Sequence, residues 1–440
     1  MQTLIKIAIK AAGALRATCL IAGITVMLIV VLEASIRVYA VVKPWVAPRV
    51  ERLVHGRRPE PVVPQPAGYW DVYKHPDYFA ELNTVRHLTW EPYVYTRSPR
   101  FSGVYINTDS IGRRVTPQPV APPANGSTTD PRTLKVFLMG ASTMWGYGQR
   151  DAHTIAAEVS RHLQSIVVPG ERIEIVNESQ IGYVMTQSVL TLLLELRDGN
   201  RPDIVVFFDG SNDVAAAMQA GVAGIPQNEF KRAADFKMGR ALDHHAYDSG
   251  LRKDVTALAI LFGQALDQFD LFDAVKSLAR PPARPQQSPE QVARDIARRY
   301  VDNARLVAEW GRSNDFIPIF VWPPAVQTTQ KRLTAAETYL VPPHPEKNAY
   351  FQVHRMLPGI LDSMMTSVAG ARFVNESGLF KGDSMPMFLD GQGHQTELAT
   401  PGIAEGIWPV LRSAVIKQRA RAASSQLAGA TTRPARERAR

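Results

Sequence analysis

The chain has 440 residues, enough to bury a large core, and 45% hydrophobic with 21% charged residues excludes a disordered polymer. The formal charge of +9 sits at the two ends: residues 1–58 hold nine Lys/Arg against two Asp/Glu, and residues 412–440 hold eight against one. The stretch between is mildly acidic, which excludes a basic nucleic-acid-binding domain.

Residues 1–16 carry Lys6, Lys10 and Arg16 and are expected to stay cytoplasmic. From Ala17 to Leu32 there is no charge. Sixteen helical residues span about 24 Å against a bilayer core of about 30 Å. Ala11 to Leu15 close the gap if Arg16 snorkels to the headgroups. A transmembrane signal-anchor over 17–40 is therefore expected, single-pass in the inner membrane, with the remainder periplasmic or extracellular. A cleaved signal peptide ending at Ala40 and a buried soluble helix are the alternatives. Cys19, the only cysteine, lies in this run, so no internal disulfide or cysteine-based zinc site can form.

Residues 41–133 read as a linker and an aromatic-rich preamble. The stretch 43–70 is rich in Pro and Arg, whereas 71–114 holds Trp90, Tyr93, Tyr95, Phe101 and Tyr105 and is expected to pack on the main domain. A Pro/Gly/Thr loop closes the preamble at Thr133. Within that loop Asn125-Gly126-Ser127 matches a glycosylation sequon and is taken as incidental.

From Leu134 strand and helix patterns alternate. Apolar runs at 134–139, 172–176, 203–208, 316–322 and 371–375 predict five strands. Between and after them, helical spacing covers 151–166, 188–198, 288–314, 348–366 and 400–417, with Ser288 as the cap of the third. Residues 214–290 form a mostly helical insertion whose apolar 256–263 would cover a site or add to the core. Such alternation predicts a parallel sheet covered on both faces, with ligands beyond the carboxyl ends of its strands. The basic tail 418–440 is expected to be disordered.

Polar residues collect where that rule places a site. Gly140-Ala141-Ser142 follows the first strand, and a serine at a tight strand-to-helix turn suits a nucleophile whose own amide stabilises an oxyanion. Taken alone, such a serine is more often an ordinary cap or turn. Gly182, after the second strand, can bring a bare N–H to a carbonyl, although a lone loop glycine usually only turns the chain. Asn212, after the third strand, offers an amide donor or merely ends the strand. In Asp390-Gly391-Gln392-Gly393-His394, a carboxylate can hold Nδ1–H and free Nε2 to deprotonate a serine. A lone histidine is more often a surface or core residue.

The four blocks occur in chain order, and together they resemble the SGNH (GDSL-like) hydrolase family, named for a Ser, a Gly, an Asn and a His. These map to Ser142, Gly182, Asn212 and His394 over residues 134–417. Upstream, 104–114 (VYINTDSIGRR) looks like the preamble of membrane-anchored bacterial members. The resemblance implies a flavodoxin-like three-layer α/β/α sandwich with a five-stranded parallel sheet. It also implies a serine esterase or deacylase working through an acyl-Ser142 intermediate, with Ser142, Gly182 and Asn212 as oxyanion hole. Acyl transfer to exported polysaccharide and a non-catalytic envelope-binding role are the alternatives. The expected partners are an ester or acylated glycan substrate and the membrane; no cofactor is expected.

Two departures stand out. Ala141 replaces the family's Asp before the serine, and one extra residue separates Asp390 from His394. A helical turn or a bulge at Gly391 and Gly393 would absorb that residue; otherwise Asp383 or a backbone carbonyl would orient the histidine. Asp243-His244-His245 is read as a solvated loop rather than a metal site.

Overall fold

The structure, a computed structural model, describes residues 70–120, 132–233 and 287–437, with Phe236 and isolated positions between 23 and 35. The chain divides into two compact units, Met1–Val62 with Arg232–Pro285, and Val63–Lys231 with Gln286–Arg440. The second carries the sheet and the site.

Its preamble opens with a 3₁₀ turn, Val72–Lys74, in which Asp71 accepts from Tyr73 N–H, followed by α1 (Pro76–Val85) with proline in its first turn. Two short antiparallel hairpins follow, β1 (Thr89–Glu91) with β2 (Tyr95–Arg97) and β3 (Phe101–Ser102) with β4 (Asn107–Thr108). As expected, this segment is ordered. Val72, Tyr78, Leu82, Val85 and Ile106 bury themselves against Trp145, immediately beyond the first block of the site.

The main sheet holds β5 (Arg132–Gly140), β6 (Glu171–Asn177), β7 (Ile204–Phe208), β8 (Ile317–Trp322) and β9 (Arg372–Asn375), all parallel, in the order β6-β5-β7-β8-β9. This is the flavodoxin-like order, and the winding reverses at β5. Period-2 alternation sorts the strand side chains between two cores. Leu134, Val136, Leu138, Val206, Phe208, Ile319 and Val321 meet α3 (Ile155–Gln164) and α9 (Thr400–Glu437) on one face. Phe137, Met139, Val205, Phe207 and Phe320 meet the other four long helices on the opposite face. Those are α4 (Met185–Arg197), α5 (Ser211–Ala220), α6 (Pro289–Ser313) and α8 (Ala349–Met365). Two one-turn helices, α2 (Ser142–Trp145) and α7 (Ala335–Thr338), lie in the connections. Every residue of β7 and β8 is buried, as two-sided coverage requires.

Helix boundaries move where caps decide them. The helix expected over 151–166 starts at Ile155 because Thr154 Oγ1 accepts from Ala157 N–H; residues Asp151–His153 form a 3₁₀ turn instead. The closing helix, expected to end near 417, continues to Glu437. Residues 418–428 contain neither proline nor glycine and favour helix. At the base of the sheet, buried Gln418 donates to the carbonyls of Asp203 and Asp315, both at 2.6 Å, and Arg419 pairs with Glu171. These two residues therefore belong to the fold rather than to a disordered tail.

Among the described residues no helix is long and apolar enough to cross a membrane. The anchor expected over 17–40 lies, isolated positions apart, outside them. So do the sequon at Asn125, the apolar 256–263 and the pair His244-His245; the first residues of the 214–290 insertion complete α5.

Candidate active site

The reversal of winding at β5 leaves a crevice between the carboxyl ends of β5 and β7, where a doubly wound sheet binds ligands. Ser142 follows β5 as the first residue of α2, and Asn212 follows β7 in the first turn of α5. An extended backbone at Ala141 turns the chain sharply into α2. Among the described residues neither the Ser142 N–H nor the Gly182 N–H meets a protein acceptor. Gly182 has φ +82°, a left-handed conformation that favours glycine, and open space where a Cβ would stand.

Ser142 Oγ lies 2.8 Å from His394 Nε2, and His394 Nδ1 lies 2.6 Å from Asp390 Oδ2. All three side chains are mostly withdrawn from water. Asp390 Oδ1 accepts two further bonds, from Gln392 N–H at 2.8 Å and His394 N–H at 3.3 Å. Burial pushes the Asp390 carboxyl up, but the hydrogen bond and charge of His394 and these backbone donors outweigh it, holding the group below the usual carboxylate range.

The spacing between Asp390 and His394 has a definite geometric answer. The segment is not a helical turn; it is a tight hairpin. Leu389 N–H donates to His394 O at 2.9 Å, Thr396 N–H to Met387 O at 2.9 Å, and Phe388 bridges Gln395. Gly393, at φ +101°, turns the chain so that the acid folds back on the base four residues later. Asp390 therefore occupies the Nδ1 side, and Asp383 does not.

Backbone and side-chain bonds lace the four blocks together. Glu178 N–H donates to Leu138 O at 2.9 Å and Gln180 N–H to Gly140 O at 3.1 Å, joining the second block to the first. Asn212 Nδ2 donates to Tyr183 O at 2.9 Å, joining the third to the second. Gly393 packs on Ser211, and Gln149 Nε2 donates to Gln395 O at 3.0 Å, joining the fourth to the third and first. Nearby, Asp213 accepts from Met185 N–H at 3.2 Å, and complete burial pushes its carboxyl up to about 7.

Several supporting residues carried no local signal in the sequence. The Tyr147 ring stacks on the His394 ring with centroids 4.2 Å apart. Arg114, buried in the preamble, donates to Gly146 O, Gln149 O and Tyr105 O, pairs with Asp151 at 2.5 Å and lies 4.5 Å from the Trp145 ring centroid. Glu178 is wedged between Arg113 at 2.7 Å and Arg97 at 3.5 Å; burial pushes its carboxyl up to about 7 despite both cations. Arg113 and Arg114 lie in the stretch that resembles a family preamble, which marked the segment but not their contacts. Among the described residues no cluster of His, Cys, Asp and Glu could hold a metal ion.

No family model matches the chain, and no curated protein is similar to it in sequence. Its structure is similar to several solved ones at low identity. TesA has 13% identity, with 64% of this chain and 99% of that one covered and a TM-score of 0.33. The acetyl xylan esterase AlAXEase has 12% identity, with 63% and 99% covered and a TM-score of 0.33. A member of the lipolytic G-D-S-L family from Veillonella parvula has 10% identity, with 63% and 97% covered and a TM-score of 0.35. The strand order and helix placement of this chain define its fold, and a hydroxyl, an imidazole and a carboxylate lie in hydrogen-bonded sequence at the rim of its sheet.

Proposed function

We propose that the chain is a serine hydrolase of the SGNH (GDSL-like) type that cleaves carboxylic esters through an acyl-Ser142 intermediate. The observation that carries this reading is the continuous relay Ser142–His394–Asp390, with bonds of 2.8 and 2.6 Å. Both ring nitrogens are engaged, so the carboxylate selects the tautomer that presents a bare Nε2 to the hydroxyl.

In the first half-reaction Ser142 Oγ attacks the ester carbonyl while His394 Nε2 takes its proton. Asp390, held in its ionised form, stabilises the imidazolium. The oxyanion is met by the Ser142 N–H, the Gly182 N–H and the Asn212 amide, which keeps a second hydrogen beyond the one given to Tyr183 O. Collapse expels the alcohol, which leaves with the proton from His394. In the second half-reaction His394 deprotonates a water that attacks the acyl carbon; Ser142 departs, recovers its proton and releases the carboxylic acid.

The apolar segment 17–32 supports an anchor in the inner membrane with the hydrolase domain outside the cytoplasm, where acylated envelope glycans or lipids are substrates. Alkaline extraction of membranes tests the anchor: release of the intact chain into the soluble fraction contradicts it.

The test of the chemistry is hydrolysis of a short-chain aryl ester by the purified full chain, together with fluorophosphonate labelling and identification of the modified peptide. Turnover and an adduct on Ser142 are expected, both abolished in Ser142→Ala. Full turnover in that variant would falsify the acyl-serine route.

A further inference from the structure

We infer that Tyr147 is a positioning residue for the proposed base, holding the His394 ring in register with the nucleophile. This rests on the functional reading above. Two hydrogen bonds hold the imidazole, one at each nitrogen. They act at the ring's edge, and Tyr147 packs on its face, with centroids 4.2 Å apart and planes 21° apart, stiffening the ring against swinging away from the hydroxyl.

The ring is tied to the nucleophile by a very short path. Tyr147 N–H donates to Ser142 O at 2.9 Å, so one turn of backbone carries both the hydroxyl and the plate on which the base rests. Behind it, Tyr147 packs against the buried preamble cluster of Val72, Tyr78, Leu82 and Trp145. That packing braces the plate from behind. An aromatic face also favours the imidazolium that forms during attack, and it shields one face of the ring from water. None of this requires the phenol hydroxyl.

The test compares Tyr147→Phe and Tyr147→Ala in the full chain. The Phe variant is expected to keep the wild-type kcat, and the Ala variant to lose roughly ten-fold in kcat with KM unchanged. The low-field proton resonance of the Asp390–His394 bond should persist with Phe and vanish into exchange with water with Ala. A Leu variant, which keeps apolar volume without a π face, guards against misfolding of the Ala variant; it should melt near wild type yet turn over slowly. Wild-type kcat and an intact resonance in the Ala or Leu variant would overturn the inference, as would a Phe variant as impaired as Ala. If the wild-type chain turns over no ester at all, the functional reading fails, while the resonance still decides whether the stack protects the bond.

Discussion

Arg114 Nε donates to Asp151 Oδ1 at 2.5 Å beneath the turn that carries Ser142, and the same guanidinium supports the carbonyls of Gly146 and Gln149. Its side chain is fully buried. Removing the guanidinium leaves buried carbonyls without that donor, at a cost of about 1–3 kcal/mol. Arg114→Ala should lower unfolding stability by that amount in a denaturant titration. Arg114→Lys should recover little of it, because an ammonium cannot reproduce the planar fork that reaches three carbonyls.

Asp390 accepts three hydrogen bonds, one from the His394 ring and two from backbone. Asp390→Asn keeps the size of the side chain but removes the charge that stabilises an imidazolium and selects its tautomer. Turnover of an aryl ester should fall by about 10²–10⁴, with KM little changed and the fold intact by circular dichroism. A fall of less than about three-fold would assign orientation of the base to some other group.

A Cβ on Gly393 would stand 2.8 Å from Ser211 Oγ, and its φ of +101° is one that side chains rarely adopt. Gly393→Ala should cost about 1–3 kcal/mol and pull the base away from Ser142. Trimming the neighbour in Gly393→Ala/Ser211→Ala relieves the clash but not the backbone strain. The double variant should therefore recover part of the stability loss and no more, a coupling that a thermodynamic cycle measures directly.

Burial raises Asp213 from 3.8 to about 7, so the folded chain holds this proton more tightly than the unfolded one. The stability linked to it is complete below pH 4 and is lost as pH rises through about 7. Asp209, pushed well above its usual range by burial and then by Asp213, acts in the same sense. Asp213→Asn keeps an acceptor for Met185 N–H without the titration. Its melting temperature should fall less steeply between pH 5 and 8 than that of the wild type; parallel profiles would contradict the assignment.

The five strands were legible because each is a short apolar run closed by a turn-forming residue. The expected 203–208 and the observed Ile204–Phe208 differ by one residue. The blocks holding Ser142, Gly182 and Asn212 were legible for the same reason, since each directly follows a strand. What brings His394 to Ser142 was not. The hairpin from Leu389 to His394 depends on cross-chain bonds and on one left-handed glycine, so spacing counted along a helix could not reveal it. Likewise nothing in the local pattern marks Tyr147 as a partner of a residue almost 250 positions away, or Gln418 as a donor to two loops at the opposite end of the sheet. Such contacts belong to the packed molecule and leave no period in the sequence.

The preamble that covers Trp145 also braces the turn that carries Ser142. A fragment cut to start at residue 134 would lose only the first two residues of β5 from the sheet yet strip the wall from behind the nucleophile turn. The indole would face solvent, the carbonyls of Gly146 and Gln149 would lose their shared cation, and Glu178 would lose both of its arginines. A fragment that keeps these contacts must include residues 72–114, upstream of the first strand of the main sheet.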